Sequence, residues 1–454
     1  MSDFFSEEAY GQMLDELFCR FPSFQKVGAG AYKPGIANME FADQLMGRPH
    51  RKYKIIHVAG TNGKGSVSNM LASSLAFSGK KVGLYTSPHI LDFRERMRVV
   101  NNDGTYELIS KEAVWDFVSR WKETFDHLDM SFFEITTLMA LNWFADQKVD
   151  YVVFETGLGG RLDSTNIVTP ILSVITNIGL DHCDMLGETL PEIAFEKAGI
   201  IKPKVPVVVG ESHPETDAVF ERKVLYTNIS EPEFMGSRSA IMSLLVFADK
   251  ICPSLWEKHE MILSCMDLKG EYQRKNLRTV LAALDVLSVV PAEEAIVNTA
   301  SRTGFAGRWQ KVSDEPWMIC DIGHNEHGLK YNFAQLERMK AEGECTDLII
   351  VYGSVADKDV DSVIHLMPKD AVYVFTQAQS RRALAAESIR ERYLGFCAKE
   401  GYAPKGVHCV DNVEAAVALA RSLVSVMVEA DASARPLIYI GGSTYVVSEA
   451  VALL

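Results

Sequence analysis

The first half of the chain is built around residues 55–66, which read Ile55-Ile56-His57-Val58-Ala59-Gly60-Thr61-Asn62-Gly63-Lys64-Gly65-Ser66. The stretch begins as a short apolar strand and continues as a glycine-rich loop with one lysine. After it, apolar residues recur at helical spacing, at Val67, Met70, Leu71 and Leu75. A strand, a glycine loop and a helix present backbone N–H groups and a helix N-terminus to phosphate oxygens. We therefore predict a phosphate-binding loop here.

The loop differs from the usual phosphate loop, which is Gly, four residues and Gly-Lys-Ser/Thr. Only two residues separate Gly60 from Gly63, and Gly65 follows Lys64 where a magnesium-binding hydroxyl is expected. The three glycines would still let the backbone approach an anion closely, and the lysine would lie along the β- and γ-phosphates. An ordinary glycine turn is the alternative, and in the phosphate loop another residue must supply the hydroxyl.

Length and composition bound the class of protein. The chain has 454 residues, 47% of them hydrophobic and 23% charged, which indicates two or three globular domains at about 150 residues each. The net charge of −14 argues against nucleic acid or a membrane as a partner. The eight cysteines lack Cys-x-x-Cys spacing, so neither zinc nor a disulfide framework is indicated. The acidic N-terminus lacks a signal-peptide pattern, and we expect a cytoplasmic protein.

Polar residues follow three predicted strands of the first half. Glu155 ends a continuous apolar run, and a carboxylate at a strand end beside a phosphate loop is where a magnesium ligand belongs. Ser87 and His182 also follow strands, and ligands collect at the C-terminal ends of strands in open α/β sheets. Taken alone, Ser87 would be a turn serine and His182 a structural histidine; together with Glu155 they become candidate metal ligands.

Lys197 ends a helix that begins with a capping box at Thr189 and Glu192 and stops at Gly199. A cation in the last turn is favoured by the helix dipole. Spacing alone gives this lysine no further role. The following segment, 211–265, is polar and irregular, and no function can be assigned to it.

Residues 301–308 interrupt the pattern like a hinge, after which strands and helices alternate again. Alternation of this kind implies a parallel sheet covered on both faces. We predict an α/β protein with two domains: 1–304, a P-loop-type ATPase domain with a mostly parallel sheet, and 305–454, a smaller Rossmann-like domain. A site between them would use Asp321 and His324, which both follow a strand of the second domain.

Five motifs of the first half occur in the order of a known family: His57–Ser66, Thr86–His89, Gly157–Asp163, Leu180–His182 and Phe195–Ile200. They resemble the dihydrofolate synthase/folylpolyglutamate synthase family of the Mur ligase superfamily. Asp321–Asn325 and Gly441–Tyr445 continue the resemblance into the second domain, so that it covers nearly the whole chain.

The resemblance implies an ATP-dependent amide ligase that acts in folate biosynthesis, one-carbon metabolism and polyglutamylation. Its partners would be ATP, L-glutamate and either dihydropteroate or a reduced folate, and ATP would phosphorylate the acceptor carboxylate before the amine attacks. The implied cofactor is Mg²⁺, and the resemblance also admits a monovalent cation. Family members suggest a monomer.

Site residues carry over from the matching motifs. The ATP contacts would be Thr61, Asn62, Gly63, Lys64, Asn276, Arg308 and Asp321, and the metal ligands Ser87, Glu155 and His182. The catalytic residues would be Lys64, Lys197 and His324. The resemblance makes Lys197 a lysine carbamylated by CO₂, which replaces the dipole interpretation. The pteroate site would comprise Lys33, Pro34, Gly35, Ile36, Ser131, Phe132, Phe133, Glu134, Leu162, Asp163 and Ser164.

Some residues depart from the family pattern, and two alternatives remain. The second-domain motif usually reads Asp-Gly-Ala-His-Asn-Pro, whereas Ile322, Gly323 and Glu326 stand at its variable places here. A muramyl-peptide ligase would share the lysine loop but usually has threonines directly after the lysine. A GTP-dependent switch protein would carry Asn-Lys-x-Asp, which this sequence lacks. Whether the enzyme makes dihydrofolate, extends polyglutamates or does both stays open, and we favour both.

Overall fold

The computed structural model describes residues 5–20, 35–234, 237–251, 257 and 260–454. The chain forms two compact units: Met1–Asp267 with Gln273–Phe305, and Leu268–Tyr272 with Ala306–Leu454. The sequence placed the boundary between 304 and 305 and assigned Leu268–Tyr272 to the first domain, whereas the structure places that segment in the second unit.

The first unit contains an eight-stranded sheet in the order β4-β3-β2-β5-β1-β6-β7-β8. Its strands are β1 Lys54–Ala59, β2 Val82–Tyr85, β3 Met97–Val100, β4 Tyr106–Leu108, β5 Tyr151–Glu155, β6 Leu172–Ile175, β7 Val207–Val209 and β8 Leu245–Phe247. Six strands are parallel, and β3 and β4 form an antiparallel extension at one edge. The predicted mostly parallel sheet is confirmed.

The α-helices of the first unit pack around this sheet. They span Glu7–Arg20, Ala37–Leu45, Lys64–Phe77, Lys111–His127, Phe132–Asp146, Cys183–Leu186, Leu190–Lys197, Asp217–Asn228, Arg238–Met242, Gln273–Val286, Glu293–Val297 and Thr299–Thr303. The helix that follows the glycine loop is buried along almost its whole length, from Gly65 to Ala76. A helix that is covered on all sides cannot shift easily, so the loop before it has a fixed base.

Sheet order explains why the polar strand ends meet. β1 lies between β5 and β6, and all three strands are parallel. Val58 pairs with Glu155, and Ala59 pairs with Ile175. The glycine loop, Glu155 and the residues after β6 therefore emerge side by side at the C-terminal edge of the sheet.

The description of residues 211–265 as irregular was wrong. This segment contains the helix Asp217–Asn228 and the strand β8, which pairs in parallel with β7. Val219, Phe220 and Val224 bury the inner face of the helix. Its many charged residues, Glu221 and Arg222 among them, conceal this apolar face in the sequence.

The second unit has a six-stranded sheet in the order β13-β12-β11-β14-β10-β9. The strands are β9 Gln310–Ser313, β10 Trp317–Asp321, β11 Leu348–Tyr352, β12 Val372–Thr376, β13 Gly406–Val410 and β14 Leu437–Gly441. Five are parallel, and β9 is antiparallel to β10. The α-helices span Glu326–Ala341, Asp361–Ile364, Ala386–Glu400, Val413–Ala430 and Thr444–Ala452. This alternation confirms the predicted Rossmann-like arrangement.

Within the described residues, no helix has the length and the apolar character that crossing a membrane requires.

Candidate active site

The glycine loop packs closely against two elements of the first unit, the residues after β6 and the helix Gln273–Val286. Gly60 and Gly63 have φ angles of +150° and +81°, which residues with a side chain rarely adopt. A Cβ atom on Gly60 would overlap the hydroxyl of Thr176, and one on Gly63 would overlap the carboxamide oxygen of Asn276. The loop therefore needs glycine at both positions, for its backbone angles and for the space available.

Residues after β6 hold the loop through its backbone. The N–H of Thr61 donates to the carbonyl of Asn177 (3.0 Å), and the N–H of Asn62 donates to the Asn177 side-chain oxygen (2.9 Å). The hydroxyl of Thr176 donates to the carbonyl of Asn62 (2.5 Å). Thr176 and Asn177 were not predicted from the sequence as site residues. The signal was available, since both are polar residues directly after a buried strand.

Two lysines converge on one carbonyl of the loop. The ammonium groups of Lys64 and Lys197 both donate to the carbonyl of Gly60, at 3.0 and 2.9 Å. Lys64 also donates to the carbonyl of Thr61 (3.2 Å). Burial and, secondly, the charge of Lys64 lower the pKa of Lys197 to about 7, although Asp181 and Asp163 act in the opposite direction. At neutral pH a substantial fraction of this buried amine is therefore uncharged, which is the form that can react with CO₂.

Ser87 and Glu155 lie together beside the loop. The backbone N–H of Ser87 donates to Glu155 Oε2 (3.3 Å), and the same oxygen would lie 3.8 Å from a Cβ atom on Gly65. A hydroxyl and a carboxylate oxygen are hard donors of the kind that Mg²⁺ selects. By their chemistry the two residues suit a divalent cation next to the loop, and the role of Ser87 as the source of the hydroxyl stays a prediction.

His182 follows β6 in a left-handed conformation (φ 53°) and begins a short helix. Its backbone N–H donates to Asp181 Oδ1 (2.9 Å), and its Nε2 lies 3.8 Å from the same oxygen. The charge of Asp181 acts on Lys197, so Asp181 faces this part of the unit. Among the described residues, no group of three or more His, Cys, Asp or Glu side chains could hold a metal. The predicted ligands comprise only two such residues, Glu155 and His182, together with Ser87, so this absence does not bear on them.

The helix Gln273–Val286 places two amides at the loop. Gln273 Nε2 donates to the hydroxyl of Ser66 (3.2 Å), and Asn276 Nδ2 donates to Gln273 Oε1 (2.8 Å). This pairing directs the carboxamide oxygen of Asn276 toward Gly63. Asn276, a predicted ATP contact, therefore adjoins the predicted phosphate loop.

Asp163 organises the segment after β5. Its Oδ2 accepts from the N–H groups of Gly157 (3.0 Å) and Leu158 (2.8 Å), and its Oδ1 accepts from the backbone and the hydroxyl of Thr165. Burial raises the pKa of the carboxyl group, and these hydrogen bonds act against that shift. The structure thus gives Asp163 a role in shaping the loop, and the predicted contact with pteroate stays a prediction.

The other predicted pteroate residues occupy three places. Ser131 and Glu134 form a buried capping box, while Phe132 stacks on Phe18 at 4.8 Å. A Cβ atom on Gly157 would lie 2.5 Å from the ring of Phe133, so this ring covers the loop after β5. Of the remaining residues, Leu162 and Ser164 are half-buried, and Gly35 and Ile36 come just before the helix Ala37–Leu45. Lys33 and Pro34 lie outside the described residues.

In the second unit, Asp321 ends β10 and is fully hydrogen-bonded. Its Oδ2 accepts from the hydroxyl of Tyr272 (2.7 Å) and the N–H of Trp309 (2.8 Å). Its Oδ1 accepts from the N–H of Gly323 (2.7 Å) and the amide of Asn332 (2.8 Å). The carboxylate thereby fixes the backbone at Trp309, next to Arg308, and at Gly323, next to His324.

The other two predicted site residues of this unit are Arg308, which precedes β9, and His324, three residues after Asp321. Burial raises the pKa of Tyr272, and the charge of Arg308 lowers it, so the guanidinium acts on the same cluster. His324 Nδ1 lies 3.1 Å from the carbonyl of Ile322. Asn325 caps the following helix by accepting from the N–H of Gly328 (2.8 Å).

Two known protein families match the two units. Residues 58–283 match the family described as Mur ligase middle domain, and residues 307–428 match the Mur ligase, glutamate ligase domain. A Bacillus subtilis protein named dihydrofolate synthase/folylpolyglutamate synthase is 34% identical over 349 residues, covering 73% of this chain and 78% of the relative. The chain belongs to the dihydrofolate synthase/folylpolyglutamate synthase family.

Solved members of this family share the fold. A Mycobacterium tuberculosis folylpolyglutamate synthase, solved with ADP and AMPPCP, is 26% identical with a TM-score of 0.78 and covers 99% of both chains. A bifunctional folylpolyglutamate synthase/dihydrofolate synthase from Yersinia pestis, solved with AMPPNP and a manganese ion, is 24% identical with a TM-score of 0.76. It covers 98% of this chain and 97% of that one, and at this identity the likeness is one of fold. Family membership favours a dihydrofolate synthase/folylpolyglutamate synthase over a muramyl-peptide ligase or a GTP-dependent switch protein.

Proposed function

We propose that this enzyme joins L-glutamate to dihydropteroate and to the γ-carboxyl group of reduced folates, at the expense of ATP. The observation that carries the proposal is the arrangement around Gly60–Gly65: Lys64 and Lys197 share the Gly60 carbonyl, and Glu155 with Ser87 lies beside Gly65. Two amines and a carboxylate around a phosphate loop suit phosphoryl transfer, which depends on positioning and charge neutralisation.

The chemistry requires an activated acceptor, because a carboxylate is a poor electrophile. An oxygen of the acceptor carboxylate attacks the γ-phosphorus of ATP, the bond to the bridging oxygen breaks, and ADP leaves. The amine of glutamate then attacks the carbonyl carbon of the acyl phosphate. The carbon–oxygen bond to the phosphate breaks, and the products are an amide, inorganic phosphate and a proton. Lys64 would neutralise the charge that develops on the phosphoryl group.

A divalent cation fits the first unit. Ser87, Glu155 and His182 would hold it, and when bound it would neutralise charge on the transferred phosphoryl group. A protein of the same fold was solved with manganese and AMPPNP, which supports a divalent ion. We propose Mg²⁺ as the physiological ion, and the monovalent cation stays a prediction.

The other site residues are proposed on the same family membership. We propose that Thr61, Asn62, Gly63 and Asn276 contact ATP in the first unit, and that Arg308 and Asp321 do so in the second. His324 stays the proposed catalytic histidine. The enzyme would act as a monomer in the cytoplasm, with dihydropteroate or a reduced folate as acceptor.

The direct test is an ADP-release assay with ATP, glutamate and one acceptor at a time. We expect release with dihydropteroate and with tetrahydrofolate. Release with dihydropteroate alone would define a dihydrofolate synthase, and release with tetrahydrofolate alone would define a folylpolyglutamate synthase. If neither acceptor stimulates release above the level with ATP and glutamate, the folate assignment is wrong.

Lys64→Ala should lower turnover in this assay by about 100-fold or more, the scale seen when one transition-state cation or donor is removed. The matched control is Lys80→Ala, because Lys80 is an exposed lysine three residues beyond the end of the same helix. The control should retain the parent rate. Near-normal turnover in Lys64→Ala would refute a phosphate role for Lys64.

A further inference from the structure

The side chain of Asn177 stands between two groups of fixed polarity. On one side, the N–H of Asn62 can only donate, and it lies 2.9 Å from Asn177 Oδ1. On the other side, a carboxylate can only accept, and Glu211 Oε1 lies 3.1 Å from Asn177 Nδ2. An amide is the group that satisfies both, because it carries an acceptor and a donor on one carbon. The buried amide of Asn177 thus has one allowed orientation.

Glu211 is held in turn by a lysine from the helix that reaches the loop. Lys275 Nζ donates to Glu211 Oε2 at 2.5 Å, and Lys275 precedes Asn276, whose side chain adjoins Gly63. Glu211 follows β7 and Gly210, where an added Cβ would meet backbone and side-chain atoms of Thr176 and Thr279. The carboxylate is therefore placed by a tightly packed strand end and by an ion pair.

We propose that Glu211 is a positioning residue for ATP binding. It acts through Asn177: by accepting from the amide nitrogen, it keeps the amide oxygen directed at the N–H of Asn62 and so holds the backbone of loop 60–63 ready for phosphate. Without the carboxylate, the side-chain amide of Asn177 can flip and direct its NH₂ group at the N–H of Asn62. Because both groups are donors, the loop then loses one hydrogen bond. The inference rests on the proposed function, since it takes ATP to be the ligand of this loop.

The test exchanges the two polar groups. Glu211→Gln leaves one acceptor oxygen for two donors, and Lys275 should take it, so that the glutamine NH₂ group faces Asn177 Nδ2. The Kd for ADP and the KM for ATP should therefore rise about 3- to 10-fold, the cost of one misaligned hydrogen bond. Asn177→Asp places two carboxylates face to face and should raise both constants about 10-fold or more. The double variant Asn177→Asp/Glu211→Gln restores one donor and one acceptor and should recover at least half of that loss on a logarithmic scale. The rate at saturating ATP should change less than 2-fold in Glu211→Gln, because Glu211 acts on ATP binding through Asn177 and the loop backbone.

The control is a matched ion pair elsewhere in the same unit. Glu231 pairs with Lys204 at 3.1 Å, and the exposed fractions of its carboxylate and its lysine, 27% and 44%, resemble the 23% and 42% of Glu211 and Lys275. Glu231→Gln should leave the Kd for ADP unchanged. The melting temperatures of all variants without nucleotide should agree within about 3 °C, since a purely structural role of Glu211 would lower stability instead of shifting affinity.

Two results would overturn the inference: a parent-like Kd for ADP in Glu211→Gln, or purely additive effects in the double variant. A failure of the proposed function would look different, because the unaltered enzyme would then neither bind ADP nor release it with a folate acceptor. ADP binding by the parent enzyme is therefore measured first, and the variants are compared only with that value.

Discussion

Lys197 combines a buried position with an amine of which a substantial fraction is neutral at pH 7. Only 3% of the residue is exposed, and its pKa lies near 7 because burial disfavours the charged form. About half of the amine is then neutral at pH 7, against about one part in 3,000 for lysine at its ordinary pKa. A neutral amine can attack CO₂, forming a carbamate and releasing a proton. This neutral fraction is the physical condition for the carbamylation that the family resemblance implies.

We expect ¹³C-labelled bicarbonate to give a carbamate signal in the nuclear magnetic resonance spectrum of the enzyme. At constant dissolved CO₂, its intensity should rise as the pH rises through about 7, because deprotonation makes more amine available. Lys197→Ala should lose the signal and most turnover, with partial recovery of turnover by short carboxylic acids. The control is Lys202→Ala, which removes another lysine whose pKa is lowered by burial; it should keep the signal. Full turnover of Lys197→Ala without added acid would contradict carbamylation.

The sequence identified site residues that stand in motifs, but it did not predict the hydrogen-bonded residues that hold them in place. The helix-dipole interpretation of Lys197 failed to anticipate its burial, because burial depends on how the loop at Gly60 packs against a distant helix. The roles of Thr176, Asn177 and Glu211 depend on neighbouring strands that are far apart in the chain. Asp163 was found by its motif, but its hydrogen bonds to the preceding loop could be seen only in three dimensions.

At the scale of elements, two turns of the first unit are packed backbone against backbone. A Cβ atom on Gly199 would overlap the Cα atom of Arg161, whose N–H donates to the carbonyl of Glu196 (2.8 Å). The turn after β5 therefore rests directly on the C-terminal end of the helix that carries Lys197. Because both partners are backbone, neither can move away as a flexible side chain would.

Gly199→Ala should therefore lower the free energy of unfolding by about 1–3 kcal/mol, as measured by urea denaturation. The control is Gly11→Ala in the helix Glu7–Arg20, where an added Cβ meets no described atom within 4 Å. It should raise stability by up to about 1 kcal/mol, because alanine favours helix. An equal response of the two variants would argue against the close approach at Gly199.

Strands with continuous apolar runs were predicted from the sequence close to their observed bounds. The run that ends in Glu155 is an example, and the structure has it as the strand Tyr151–Glu155, because strands buried on both faces need apolar residues throughout. The edge strand β9, Gln310–Ser313, was missed since it is polar and pairs on one side with β10. Helix Asp217–Asn228 was missed because four of its twelve residues are charged and interrupt the apolar pattern.

At the scale of the molecule, the two units are not consecutive in the chain. Leu268–Tyr272 leaves the first unit and supplies contacts to the second, where Tyr272 donates to Asp321 and Glu271 pairs with Arg338 (2.6 Å). Gln335 binds the segment from both ends, accepting from the N–H of Glu271 (2.8 Å) and donating to the carbonyl of Lys269 (3.1 Å). No local pattern in five residues could have predicted this exchange.

Tyr272→Phe should destabilise the second unit by about 1–3 kcal/mol, because it removes a donor from a buried carboxylate. Thermal unfolding monitored by calorimetry would measure the loss. Tyr226→Phe is the control, since Tyr226 is 72% exposed and its hydroxyl can be replaced with little effect. If both variants unfold at the parent temperature, the Tyr272 hydroxyl contributes nothing to the unit.

The interleaved connection also bears on how the protein is made. A ribosome delivers residues in order, so the first unit still lacks Gln273–Phe305 when its eight strands have all been synthesised. The helix that brings Asn276 to the glycine loop arrives after Leu268–Tyr272, which must then wait for the second unit to emerge. Proteases should consequently cleave near the glycine loop in nascent chains that are stalled before residue 305 has left the exit tunnel. Chains that are stalled later should resist cleavage there.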